Sequence, residues 1–346
     1  MILVPGLSLK NLEPRVWDPK SPFFLPELRA VMVSYADFHR MPARRFAAMK
    51  QGLASWLGVS SGVKVYLDNG AFYFLRRPGP RPQRAYEEFV ECATPDWWPI
   101  PQDYIPAPNM PPAAKARCYQ RTMEVNRNYQ HDGYVPVVHI GPLLLRYTSA
   151  VLEHPKLSQK PKLALGGIVP NLLRAPKAMA YVDVLKGLLH VRDKFETKDV
   201  HVFGIGGTAT VHIAGLIGAA SVDSSGWRNR AARGLIQLPG SGDRIVANLG
   251  NWRGRTPSVG DWEQLETCKC PACKQTGVRG LKAKGIEGFS CRATHNLFVL
   301  LQEAKWVEKQ IKAGSYERKY GDRLDNSIYQ PIIRALLELQ KGHSQT

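Results

Sequence analysis

The sequence predicts an α/β fold, a (β/α)8 TIM-like barrel, from two observations. Short β-branched runs alternate with helical patterns, and most of those runs end on a polar or glycine-containing tip. Candidate strands fall at residues 29–35, 64–68, 134–139, 162–167, 199–204 and 219–223, with amphipathic helices at 178–195 and 209–218 between them. The tips are Asp68-Asn69-Gly70, His139-Ile140-Gly141, Gly166-Gly167, Gly204-Ile205-Gly206-Gly207 and Asp223-Ser224-Ser225-Gly226. A doubly wound sheet gathers its ligand groups at one switch point, whereas a barrel spreads them around the ring of strand ends, so tips on five strands favour the barrel. Residues 78–112, rich in proline and aromatics, read as irregular, with 98–103 a distorted strand. Residues 295–311 and 326–341 have helical apolar spacing and are expected on the outside.

The 346 residues are 44% hydrophobic and 22% charged, which supplies a packed core and excludes disordered, collagen-like and small disulfide-stapled classes. Lys and Arg number 47 against 29 Asp and Glu, a net charge of +18. Such an excess calls for a polyanionic partner, nucleic acid or an anionic membrane surface. The N-terminal Met-Ile-Leu-Val-Pro-Gly-Leu lacks the basic region and cleavage site of a signal peptide, and the weakly polar stretch 211–222 is too short to span a bilayer. Six cysteines are too few for a disulfide framework, and four of them lie between Cys268 and Cys291. A metal site in a reducing compartment follows, hence an expected cytoplasmic location and no membrane.

Cys268-Lys269-Cys270-Pro271-Ala272-Cys273 is followed by Cys291 and His295. Three thiolates within six residues and a fourth ligand some twenty residues on suit tetrahedral Zn2+. The expected ligands are Cys268, Cys270, Cys273 and His295, with Cys291 as a rival fourth. A full set of four leaves no open position, so the zinc is expected to be structural. From Arg228 to Lys284 there are eleven Lys and Arg against four Asp and Glu, the composition of a phosphate-facing platform. Asp68 and Asp223 close apolar strands, and Asp103 has similar surroundings. Two carboxylates flanking a glycosidic carbon can act as nucleophile and general acid/base, and a third can accept hydrogen bonds from a purine N–H edge.

The ordered series Leu67-Asp68-Asn69-Gly70-Ala71-Phe72, Leu165-Gly166-Gly167, His201-Val202-Phe203-Gly204-Ile205-Gly206 and Val222-Asp223-Ser224, then Cys-x-Cys-x2-Cys and a histidine opening a helix, resembles the tRNA-guanine transglycosylase superfamily. The resemblance runs from about residue 30 to 310. It implies a (β/α)8 barrel with a zinc-binding subdomain inserted near the last strand. One domain, 1–346, is expected, with a basic zinc-binding insertion at 250–295 and C-terminal helices at 296–346. The resemblance also implies exchange of guanine in a nucleic acid for a 7-deazaguanine base without cutting the backbone. On it, Asp223 is the nucleophile at C1′ and Asp68 the general acid/base, while Asn69, Phe72, Asp103, His139, Gly166 and Gly167 contact the base. Arg228, Arg230, Arg233, Lys282 and Lys284 are expected along the nucleic acid.

Departures from the superfamily narrow the expectation. Its usual Asp-Ser-Gly-Gly-Phe/Tyr-Gln is here Asp68-Asn69-Gly70-Ala71-Phe72-Tyr73, and His139 stands where bacterial members carry glutamine. The basic stretch after the nucleophile reads Trp227-Arg228-Asn229-Arg230-Ala231-Ala232-Arg233-Gly234. These features are similar to the DNA-acting branch, DpdA. The expected enzyme is therefore a pentosyltransferase placing a 7-deazaguanine, 7-cyano-7-deazaguanine first, into DNA by a retaining, covalent ping-pong mechanism. The alternatives are a tRNA enzyme with a divergent pocket and a non-catalytic zinc-containing nucleic-acid-binding subunit. Oligomeric state and the involvement of helper proteins stay open.

Overall fold

A computed structural model describes residues 1–75, 82–172, 176–252, 254–324 and 329–343. Its strands are β1 (Ile2–Pro5), β2 (Ala30–Ser34), β3 (Lys64–Asp68), β4 (Val137–His139), β5 (Lys162–Gly166), β6 (Asp199–Val202), β7 (Ser221–Ser224), β8 (Leu235–Leu238) and β9 (Gly242–Ile245). Five of them form a parallel sheet in the order β1-β7-β6-β5-β4; β2 and β3 form a parallel pair, and β8 and β9 an antiparallel hairpin. Parallel strands covered on both faces read as near-continuous apolar runs, and Val31, Val33, Val65, Leu67, Val138, Leu163, Leu165, Val202 and Val222 are all fully buried. Parallel register also aligns the polar tips, since Ser34 pairs with Asp68, His139 with Gly166, and Pro5 with Ser224.

Backbone hydrogen bonds extend the pairing beyond the strands. Leu7 N–H donates to the Met32 carbonyl, linking the chain after β1 to β2. Asp96 N–H donates to Val65 and Leu67 N–H to Trp97, so residues 96–97 run beside β3. Val135 N–H donates to Trp98 and Ile100 N–H to Val135, which joins 98–100 to the residues before β4.

Two elements differ from the sequence expectation. The N-terminal apolar run is a strand: β1 lies beside β7, bounded by Pro5 and Gly6. Within the stretch read as irregular, Gln83–Ala93 is a helix whose Tyr86, Phe89, Val90 and Ala93 form one buried face. That is helical spacing, which the surrounding prolines masked. The expected helices 178–195 and 209–218 are observed as Tyr181–Lys194 and Thr210–Leu216. Gln330–His343 answers to the helix expected at 326–341, of which 326–328 lie outside the described residues.

A second apolar cluster, built on Ile236, Leu238, Leu265, Leu281 and Cys291, packs the β8–β9 hairpin against the helices Val259–Glu266, Pro271–Lys282 and Gly285–Lys312. Two buried side chains tie this unit together. The Arg292 guanidinium donates to the carbonyls of Ala231, Leu281 and Ala283. Asn296 donates to those of Trp227 and Leu235 and accepts from Gln237 N–H. The helix Gly285–Lys312 runs straight through the boundary expected at 295, so His295 sits in mid-helix rather than opening it. The hairpin, which precedes residue 250, belongs to the same packed unit. Among the described residues no helix is long and apolar enough to cross a membrane.

Candidate functional site

The C-terminal ends of the strands surround a cavity of about 350 Å3. Asp68, Asn69, Phe72, Asp103, His139, Gly166, Gly167 and Asp223 all line it, so every residue expected around a base is brought to one place. The tip of β2 contributes Ser34, and Met32, Val33, Ile105, Val169 and Phe203 supply apolar walls. None of these last six was expected at the site from the sequence. Ser34 carried a signal, being the polar end of a β-branched run; the apolar walls carried none that separates them from core.

Asp68 Oδ2 accepts from Ser34 Oγ at 2.8 Å and from Gly70 N–H at 3.0 Å. Gly70 has φ +77°, and a Cβ there would sit 2.6 Å from Ala36 Cβ, so the turn that aims its N–H at the carboxylate needs glycine. Burial pushes the Asp68 carboxyl up to about 7, and the charges of Asp223 and Asp103 add to the rise; the bonds from Ser34 and Gly70 oppose it. Such a group exchanges a proton near neutral pH. Asp223 Oδ1 accepts from Gly204 N–H at 2.7 Å, and His201 Nε2 lies 3.6 Å from the same oxygen.

Asp103 is held from two sides. Its Oδ1 accepts from Asn69 Nδ2 at 2.8 Å, and its Oδ2 lies 2.9 Å from His139 Nε2. Asn69 is almost fully buried; its Nδ2 also donates to the Ile100 carbonyl and its Oδ1 accepts from Ala71 N–H. Both amide hydrogens are therefore engaged within the protein, so Asn69, while lining the cavity, also orients Asp103. His139 is 1% exposed. A Cβ on Gly166 would lie 2.9 Å from His139 Nδ1, so the bare backbone at 166 makes room for that ring. Phe72 is half exposed and lines the cavity from the helix Ala71–Leu75. A proton-exchanging carboxyl, a second carboxylate and an oriented third in one partly apolar cavity can perform acid/base-assisted displacement at carbon.

Cys268, Cys270, Cys273 and His295 form the second site, their ligand atoms all within 4.8 Å of one another. The three Sγ atoms stand 3.5, 3.8 and 3.5 Å from His295 Nδ1. Zn–S bonds of about 2.3 Å and Zn–N of about 2.0 Å at tetrahedral angles put sulfur and nitrogen about 3.5 Å apart, so the donors fit that metal. His295 Nε2 faces the Gln237 carbonyl at 3.0 Å, which puts the proton on Nε2 and leaves the Nδ1 lone pair for a metal. Hydrogen bonding among the thiols keeps Cys268 low and pushes Cys270 up to about 12 and Cys273 further up, so three thiolates need a cation. Cys291 is instead paired with Thr276 Oγ1 at 3.6 Å, which settles the fourth ligand in favour of His295.

The basic residues divide. Arg228 is buried, and its guanidinium donates to the carbonyls of Glu13 and Asn11 at 2.6 and 2.7 Å. It braces the N-terminal segment, which corrects its expected place on the nucleic-acid face. Arg230 is paired with Asp243 at 2.8 Å. Arg233, Lys282 and Lys284 are exposed, with Arg233 over the Trp252 ring and Lys282 over Trp262. A polar groove adjoining the cavity shares Asp223 and Ser225 with it and carries Asn229, Arg230, Arg244 and Arg255. No protein-family model matches the chain, and a search of curated proteins finds no match.

Proposed function

We propose that the protein is a nucleic-acid base-exchange enzyme, a pentosyltransferase of the tRNA-guanine transglycosylase superfamily. The particular reaction we infer is replacement of guanine in DNA by a 7-deazaguanine, with 7-cyano-7-deazaguanine the first candidate. The observation that carries this reading is the convergence of Asp68, Asp103 and Asp223, from three distant stretches of chain, on the cavity that also holds Gly166, Gly167 and Phe72. The net charge of +18 supports a polyanionic substrate, and the altered first motif supports DNA over tRNA.

In this reading the sheet closes into a (β/α)8 barrel, which the bonds from Leu7 to Met32, Leu67 to Trp97 and Val135 to Trp98 support by linking the β2–β3 pair to both edges of the five-stranded sheet. The Cys3His site holds a structural zinc that fastens the hairpin and the following helices beside the mouth. The target guanine leaves the base stack to reach the cavity. Asp223 Oδ2 attacks C1′ while Asp68 gives its proton to the departing purine; a C1′–O bond forms and the C1′–N9 bond breaks with its electron pair going to the purine. The 7-deazaguanine then loses its ring N–H proton to Asp68, attacks C1′ and releases Asp223 as carboxylate. Two displacements retain configuration.

The test incubates the protein with 7-cyano-7-deazaguanine and either guanine-containing duplex DNA or unmodified tRNA, followed by digestion and mass spectrometry of the nucleosides. Modified deoxynucleoside that disappears in Asp223→Ala is the expected result. Modified ribonucleoside alone would transfer the reading to tRNA, and no product on either polymer would reject it.

A further inference from the structure

Beside the proposed nucleophile lies a histidine that the reaction above does not use. His201, on β6, is 1% exposed and is boxed by aromatic rings, its centroid 4.8 Å from Trp97 and 4.7 Å from Phe203. Its Nδ1 is 2.8 Å from the hydroxyl of Ser221, its register partner on β7. Among the described residues its Nε2 has no hydrogen-bond partner, and it lies 3.6 Å from Asp223 Oδ1. A buried ring nitrogen without a partner is destabilising, and this one lies near a carboxylate two residues along the neighbouring strand.

The direction of the proton follows from the chain of partners. With the Ser221 hydroxyl donating to His201 Nδ1, the ring proton sits on Nε2, the nitrogen 3.6 Å from Asp223 Oδ1. The opposite tautomer would set the Nε2 lone pair against carboxylate lone pairs and is disfavoured electrostatically.

We propose that His201 is a positioning residue for Asp223, held in its Nε2–H tautomer by the Ser221 hydroxyl so that its N–H and that of Gly204 together address Oδ1. The role rests on the base-exchange reading for its catalytic half. With Oδ1 held, Oδ2 is the oxygen that bonds to C1′. When the incoming base attacks C1′ and the C1′–Oδ2 bond breaks, the electron pair returns to the carboxylate, and a closing Nε2–H stabilises the charge that develops. Hydrogen bonds of this kind are often long before substrate binds and shorten in the transition state. His201 therefore assists breakdown of the covalent intermediate more than its formation.

The experiment has two arms. In protein with 15N-labelled histidine, the ring signals lost in His201→Gln should show the proton on Nε2, and that Nε2 signal should move in Asp223→Asn but not in Asp103→Asn. A proton on Nδ1, or no response to Asp223→Asn, overturns the proposal, and neither result depends on catalysis. In base exchange, His201→Leu should lower kcat about 10–100-fold with KM changed less than about threefold, and trapped DNA–protein adduct should accumulate. His201→Gln, whose amide N–H can reach Asp223, should recover most of the rate. Equal losses in both variants, or less adduct in His201→Leu, would sink the catalytic role. Wild-type protein that exchanges no base yet keeps the Nε2 response would reject the transglycosylase reading while supporting the His201–Asp223 link.

Discussion

Asp68→Asn removes a carboxyl that the fold keeps protonated up to about pH 7, against an ordinary value of 3.8. The folded protein binds this proton more tightly than the unfolded chain does. The associated stability is fully present below pH 3.8, falls as pH rises through the window from 3.8 to about 7, and is gone above it. At about 1.36 kcal/mol per pH unit, the native state above pH 7 is disfavoured by up to about 4 kcal/mol relative to acid conditions, and by about 2 kcal/mol at pH 5. The carboxyl lines an open cavity, so solvent screening makes these figures ceilings. An asparagine can still accept from Ser34 and Gly70 through its carbonyl oxygen while carrying no charge. Urea denaturation should therefore find Asp68→Asn more stable than wild type at pH 8, with a gain that shrinks by about 1–3 kcal/mol at pH 5. Base exchange should be lost at both. A gain that is the same at the two pH values, or larger in acid, would refute the assignment of Asp68 as the buried proton carrier.

Zinc analysis should find one ion per chain that is lost in Cys273→Ser and kept in Cys291→Ser, with the former also lowering the unfolding midpoint, because Cys273 faces His295 Nδ1 whereas Cys291 is paired with Thr276. Gly166→Ala forces a methyl against His139 Nδ1 at 2.9 Å; it should cut kcat/KM for base exchange about 100-fold with the circular dichroism spectrum unchanged. Arg228→Ala should lower stability by about 2–3 kcal/mol by orphaning two carbonyls, leaving the salt dependence of DNA binding as in wild type. Arg233→Ala, at an exposed position, should reduce the slope of log K against log salt by about 1 with stability unchanged.

Much of this architecture was legible because its signals are local. The Cys-x-Cys-x2-Cys spacing lies within six residues, and the polar tips of β3, β4, β5, β6 and β7 could be read from where β-branched runs stop. The strand β1 was missed because four residues carry no periodicity of their own; it is defined by its hydrogen bonds to β7, more than two hundred residues away. The helix Gln83–Ala93 was legible in the spacing of Tyr86, Phe89, Val90 and Ala93, and the flanking prolines obscured it. Arg228 and Arg233 are alike as sequence, and only packing turns one inward and leaves the other exposed.

The sequence by itself determined the parallel α/β class, the order of the candidate carboxylates and the identity of the three thiol ligands, since periodicity and short spacing are properties of neighbouring residues. The tertiary structure alone decided which groups act on one another. It chose His295 over Cys291, made Asn69 the orienting partner of Asp103, raised Asp68 while placing Ser34 and Gly70 against it, and set His201 before Asp223. Proton affinity and hydrogen-bond partnership depend on desolvation and on distances of a few ångströms between strand ends. The chain acquires those distances only when residues far apart in sequence are folded side by side.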